Sequence, residues 1–267
     1  MNQCSTTAAL DKSFGCSELW AGDERAHCSM TFAGLDASIV ARPSGHRAGG
    51  DLCALFSCGD AHARVVIADC VGHGYAASLV AAHVHDLLHK VRDHRNSSRL
   101  LEALNNEFTL SGQLSGGPLR LTTLVTAIFD RATGEFNYAY AAHPRMLLWR
   151  KTDSRWTEIG EGLSGLPIGF IAGEAYSEQS IRMEDGDVVL AFSDGITDVF
   201  SLSDQQLGPG GVLEMAKETC QEMLQPFDLG TLVRTLVEKI ESFRGSRAFD
   251  DDFTLMAFRR LPAHRPL

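Results

Sequence analysis

A chain of 267 residues, 44% of them apolar and 22% charged, carries enough apolar surface to bury a core and too much to remain disordered. Its 34 acidic residues against 24 basic ones leave a formal net charge of −10, which argues against general affinity for phosphate backbones or anionic lipid, so neither nucleic acid nor membrane is an expected partner. No run approaches the roughly 18 apolar residues of a membrane span, and residues 1–20 hold no basic patch followed by an apolar core of secretory length, so a soluble, cytoplasmic protein is expected.

In chain order, residues 1–27 show weak periodicity and read as a loose N-terminal arm. No composition break follows, so residues 28–261 are expected to form one domain and residues 262–267 a short tail. "TFAGLDASIVARP" (31–43), "LCALFS" (52–57) and "ARVVIAD" (63–69) read as three strands of an antiparallel meander, separated by Gly, Pro, Ser and Asp. Val80, Val84, Leu87, Leu88 and Val91 then fall at helical spacing and predict an amphipathic helix over 75–92, with a second helix over 97–109.

After a loop at "LSGGPLR", strands are expected in "LTTLVTAIFD" (121–130), "EFNYAYAA" (135–142) and "RMLLWR" (145–150), then in "SEQSIRM" (177–183) and "DVVLAFS" (187–193). Helices over 211–223 and 228–243 precede a last strand, "FTLMAFRR" (253–260). Runs of antiparallel strands interrupted by helix pairs point to an α+β fold: a four-layer α-β-β-α sandwich of two antiparallel sheets flanked by helices. The seven cysteines are odd in number and form no Cys-x-x-Cys pair, so they read as reduced packing thiols.

Acidic residues recur where a buried strand meets a turn: Asp51, Asp69, Asp194 in "AFSDGITD", and Asp250-Asp251-Asp252 before the last strand. Strand ends sharing a sandwich project into a common cleft, and carboxylates converging there would repel each other unless cations fill the space. An all-oxygen donor set selects hard ions such as Mg²⁺ or Mn²⁺ rather than zinc. Gly49-Gly50, Gly72, Gly74 and Gly195 sit beside these acids and let the backbone approach an ion or take positive φ. Two divalent ions side by side can activate a water and clamp a displacement at phosphorus, which makes phosphate-ester hydrolysis the expected chemistry.

The ordered blocks Gly49-Gly50-Asp51, Asp69-Cys70-Val71-Gly72-His73-Gly74, Ala141-Ala142-His143-Pro144, Leu166-Pro167-Ile168-Gly169, Gly186-Asp187, Ser193-Asp194-Gly195-Ile196-Thr197-Asp198 and Asp251-Asp252-Phe253-Thr254 resemble the metal-dependent serine/threonine phosphatases of the protein phosphatase 2C superfamily. Within it they are most similar to the bacterial sporulation stage II E and sigma-regulator branch. The resemblance runs from about residue 30 to 260. It implies a phosphatase using two Mn²⁺ or Mg²⁺ ions, in which Asp69 bridges the metals, the Cys70 backbone carbonyl binds one of them, and Asp51, Asp194 and Asp251 complete the shell.

By the same resemblance, hydrolysis proceeds by attack of a metal-bridging hydroxide, with Asp51, Asp69 and Asp194 as the catalytic carboxylates and no covalent phosphoenzyme. Asp252 and Gly50 stand beside the ligands; His73, between two glycines, has two readings, an acid near the leaving oxygen or a hydrogen bond that stabilises the turn. Eukaryotic relatives hold the substrate phosphate with an early arginine, for which Arg42 is the candidate here. The implied substrate is a phosphorylated regulator of the anti-sigma-antagonist type in partner switching, with an upstream sensor protein as a further partner. The chain is expected to be a bare catalytic domain without the coiled N-terminal segment of many relatives. The rival readings are a docking module that keeps the fold without catalysis and a phosphatase acting on a small phosphate ester.

Two other patterns have structural readings. Gly72-His73-Gly74-Tyr75-Ala76-Ala77 fits a dinucleotide fingerprint, but two helices stand where a second parallel strand is required. His85 and His89 mimic a zinc-protease helix without a third ligand and read as a solvated polar face, while His143 is expected to bond or pack at a strand end.

Overall fold

The computed structural model describes residues 26–44, 49–58, 61–115, 120–223 and 228–262. β1 (Ala26–Phe32) and β2 (Leu35–Arg42) form an antiparallel hairpin. The single strand expected over 31–43 is therefore two, because Ala33 and Gly34 take φ of +43° and +82° and reverse the chain. β3 (Asp51–Cys58) and β4 (His62–Cys70) form a second hairpin, followed by α1 (Gly74–Val91) and α2 (Ser97–Ser115). Then come β5 (Thr122–Asp130), β6 (Glu135–Ala141), β7 (Leu147–Arg150), β8 (Arg155–Glu158), β9 (Glu178–Arg182) and β10 (Val188–Phe192). A one-turn helix α3 (Asp194–Thr197), α4 (Gly208–Glu222), α5 (Leu229–Arg244) and β11 (Phe253–Arg260) complete the described chain.

The strands make two antiparallel sheets, one ordered β1-β2-β11-β10-β7-β8 and the other β3-β4-β5-β6-β9. The expected meander is thus divided: β2 lies beside β11 in the six-stranded sheet and β3 beside β4 in the five-stranded one. The reason is visible in β2, whose residues are buried on both faces, so its apolar pattern does not say which neighbour it takes. No helix among the described residues is long and apolar enough to cross a membrane.

Three apolar layers hold the sandwich together. Between the sheets, Ile39, Leu55, Val65, Ile67, Phe129, Phe136 and Phe258 interlock. In β4 the alternate residues Val66, Ala68 and Cys70 point the other way, onto α1 and α2, where they meet Val84, Leu88, Leu101 and Leu104. On the far side Leu232, Val233, Leu236 and Ile240 of α5 pack on Leu190, Phe192 and Leu255. α5 starts at Asp228, whose carboxylate caps the Thr231 amide at 2.7 Å. The result is the α-β-β-α order, with the strand ends that carry the acidic residues gathered at one edge of the two sheets.

Candidate active site

Asp51 opens β3 and stands opposite Asp69 in the β3–β4 register, so both carboxylates rise from the same end of the five-stranded sheet. Asp194 follows β10 and Asp251 precedes β11, bringing two more from the six-stranded sheet. Asp51 is 5% exposed, and its Oδ2 accepts from Ser193 Oγ at 2.7 Å and from Thr254 Oγ1 at 2.8 Å. A side chain of one sheet is thereby held by two hydroxyls of the other. Ser193 Oγ also accepts from the Thr254 amide at 2.9 Å, which locks the β10–β11 end in place.

Asp252 is spent on the backbone: its carboxylate accepts from the Ser44 and Gly50 amides, each at 2.6 Å, and so fixes the approach to Asp51. Gly50 must be a glycine, because a Cβ there would lie 2.6 Å from the Cys70 carbonyl oxygen. The Cys70 amide returns a hydrogen bond to the Gly50 carbonyl at 3.2 Å. The Cys70 thiol, against Thr122 Oγ1 at 3.4 Å, is pushed up to about 12 by burial, so only the main chain of this residue is available for chemistry.

The carboxylates act on one another. Burial, then repulsion by Asp51, Asp194 and Asp251, pushes Asp69 up to about 9. Asp51 is pushed up to about 7 by burial against the two hydroxyl bonds, with Asp252 and Asp194 adding repulsion. Asp194 is raised by burial and by Asp198, and Asp251 by burial, with His73 opposing the shift in Asp251. The exposed His73 thus lies within electrostatic reach of Asp251 at the edge of the cluster.

Sequence reasoning placed the acids but missed the groups that hold them. Ser193 and Thr254 were legible only as motif residues; their signal was a hydroxyl next to each acidic turn. His143, 6% exposed, is bonded through Nδ1 to Thr123 Oγ1 at 2.8 Å, and Thr123 is the register partner of Asp69. Burial pushes the ring down to about 3, against an opposing contribution from the Phe192 main chain, so it is a neutral strand-end support.

Arg42 is not brought to the cluster. Its guanidinium pairs with Glu241 of α5 and lies 5.5 Å above the Phe253 ring. This corrects the expectation that it holds substrate phosphate: alternation along β2 sends Val40 and Arg42 to the α5 side of the sheet. His85 and His89 stack edge to face on α1 at 4.7 Å between ring centres. The fingerprint around Gly72 leads through α1 and α2 into antiparallel β5, which leaves no parallel βαβ unit for a dinucleotide. Asp187, fully buried, pairs with Arg150 at 2.7 Å and accepts from the Lys151 and Glu184 amides.

The donor set fits hard divalent cations. It consists of carboxylates and a backbone carbonyl, and burial with mutual repulsion raises all four carboxyl groups, which a cation would offset. Among the described residues no three His, Cys, Asp or Glu side chains close on one point as a finished ion cage does. A proton kept on the Asp69 carboxyl and shared with Asp194 would relieve the repulsion.

The sequence profile of stage II sporulation protein E (SpoIIE) matches residues 59–261. The chain is 24% identical over 202 residues to the phosphoserine phosphatase RsbU of Bacillus subtilis (strain 168), a match covering 74% of this chain and 55% of that protein. The chain therefore matches only about half the length of that curated relative. Among solved structures, the SiaA-PP2C domain of Pseudomonas aeruginosa superposes with a TM-score of 0.68 at 19% identity, covering 84% of this chain and 85% of that one. RsbX in complex with magnesium superposes with a TM-score of 0.58 at 13% identity, covering 90% and 99%. These structural likenesses establish the shared fold.

Proposed function

Because the chain belongs to the stage II sporulation protein E (SpoIIE) family, we propose that it is a metal-dependent phosphoprotein phosphatase acting on phosphoserine or phosphothreonine. The observation that carries this reading is the convergence of Asp51, Asp69, Asp194 and Asp251 from two sheets, each with its carboxyl raised by burial and by acidic neighbours. Two Mn²⁺ or Mg²⁺ ions would be held by Asp51, Asp69, Asp194, Asp251 and the Cys70 carbonyl. Bound there, they supply charge neutralisation for phosphate oxygens and acidify a water at neutral pH.

The chain's own residues prepare that chemistry. Ser193 and Thr254 fix the rotamer of Asp51, and Asp252 fixes the backbone that presents it. His73, within electrostatic reach of Asp251 at the rim, would deliver a proton to the leaving oxygen. Residues 28–261 are proposed as the catalytic unit. The name of the RsbU relative, a phosphoserine phosphatase, supports a phosphorylated regulatory protein of the anti-sigma-antagonist type as substrate, with an upstream sensor as a second partner.

Hydrolysis of p-nitrophenyl phosphate with Mn²⁺, Mg²⁺ or EDTA tests the reading. Turnover is expected only with the metals, and Asp69→Asn or Asp194→Asn is expected to lower it by about a hundredfold or more while calorimetry shows weaker metal binding. Metal-independent turnover, or turnover untouched by both substitutions, overturns it.

A further inference from the structure

The outer face of α1 changes character along its length. Its inner face, Ala77, Val80, Ala81, Val84 and Leu88, is buried as an amphipathic helix requires. A solvated outer face should be polar, and farther along it is, with Asp86 and Lys90 exposed. In its first turns, however, it presents Tyr75 at 74% and Leu79 at 52% exposure, following Val71 at 64%. Val71 stands two residues beyond Asp69, so this apolar surface begins at the carboxylate cluster itself.

It has a second bank. The Val71 amide bonds to the Leu121 carbonyl at 3.0 Å, and the next residue, Thr122, pairs with Ile168 through bonds of 3.1 and 2.9 Å. The segment after Ile168 exposes Phe170 at 52% and Ile171 at 53%. Asn105 of α2 clamps it from both sides, accepting from the Gly169 amide at 2.9 Å and donating to the Ile171 carbonyl at 2.8 Å. These side chains are therefore held outward by a braced backbone. Single exposed apolar residues are ordinary, but a group of them on two banks joined beside one chemical centre marks an interaction surface.

Charge says what the surface receives. Between Asp69 and Asp86 the sequence holds no Asp, Glu, Lys or Arg, although the chain carries −10 overall. A phosphorylated protein approaching the cluster brings a further dianion, and a bank without acidic residues from Cys70 to His85 adds no repulsion to its docking. We propose that Val71, Tyr75, Leu79 and Phe170 form an apolar collar that receives the surface of a phosphorylated protein around its phosphoserine, so that preferred substrates carry apolar residues beside the phosphate. This inference rests on the phosphatase reading for the chemistry of its occupant.

The test uses fluorescein-labelled ten-residue peptides bearing the non-hydrolysable phosphonate isostere of phosphoserine, flanked either by Leu, Val and Phe or by Ser and Gln. Binding to the whole chain in Mn²⁺ is read by fluorescence anisotropy, with p-nitrophenyl phosphate turnover measured in parallel. The wild type is expected to bind the apolar-flanked peptide about tenfold more tightly. The double variant Tyr75→Ser/Leu79→Ser, and separately Phe170→Ser, should bring that ratio towards one at unchanged melting temperature, since these side chains are exposed.

Equal binding of both peptides by the wild type, or a ratio that survives the substitutions, overturns the collar. So does a shift from dimer to monomer in the double variant with the ratio unchanged, which would assign the face to a second copy of the chain. A preserved, substitution-sensitive ratio without any p-nitrophenyl phosphate turnover supports the collar while rejecting the phosphatase reading, so the two fail separately.

Discussion

Asp51 is the residue through which the two sheets meet at the cluster, and its two hydroxyl donors oppose the burial that raises its carboxyl. Bonds from Ser193 and Thr254 favour the carboxylate that burial and its acidic neighbours disfavour. Thr254→Val keeps the shape and removes one donor, so Mn²⁺ affinity by calorimetry is expected to fall by about tenfold to a hundredfold with the far-ultraviolet circular dichroism unchanged. An unchanged affinity would show that Asp51 is not a ligand or that Ser193 alone suffices. Gly195 is a second single-residue constraint: a Cβ there would lie 1.9 Å from the Asp252 carbonyl oxygen, which is backbone and cannot swing aside. Gly195→Ala is expected to cost about 2 kcal/mol or more in denaturant unfolding. The acids and glycines were legible because each sits beside a turn in a fixed order, whereas the hydroxyl donors were not, because Ser193 and Thr254 come together only when β10 pairs with β11.

At the scale of elements, the local pattern located most helices and strands and failed where the answer depends on contacts far along the chain. The helix over 97–109 runs on to Ser115, since the apolar spacing weakens after Phe108 while the helix continues along α1. β8 was missed because only Trp156 of its four residues is buried, leaving no alternation to read. The separation of β2 from β3 was equally hidden, because a strand buried on both faces gives no sign of which sheet it joins. Arg42 shows the consequence for function. Read as one strand leading to Gly49, its segment put the guanidinium near the acids; in the sheet it faces α5 and Glu241. With both partners about one-third exposed, Arg42→Ala is expected to cost about 1 kcal/mol or less and to leave the KM for p-nitrophenyl phosphate within about twofold, a margin small beside the loss expected for a phosphate clamp. A large rise in KM would return Arg42 to the site.

For the whole molecule, the cluster joins Asp51 and Asp69 of one sheet to Asp194 and Asp251 beside the other, so its charge state bears on how firmly the sandwich closes. In the metal-free protein Asp51 and Asp69 stand at about 7 and about 9 against an ordinary 3.8. Between those limits the folded chain keeps protons that the unfolded chain has released, so the stability these two groups contribute is fully present below the unfolded value and is lost as pH rises through the folded values. A cation reverses the sign, because it binds only the ionised carboxylates and binds the folded state alone. Melting temperature in EDTA is therefore expected to fall between about pH 5 and about pH 8. With saturating Mg²⁺ or Mn²⁺ the curve should flatten or rise, and the gap between the two should widen with pH. Asp69→Asn, which removes the most strongly raised carboxyl, should reduce both the fall in EDTA and the gain from metal. Parallel curves with and without metal would mean that the four carboxylates do not share an ion, and the polar link between the sheets at the cluster would then rest on the Ser193 and Thr254 hydroxyls and the Asp252 bond to the Gly50 amide.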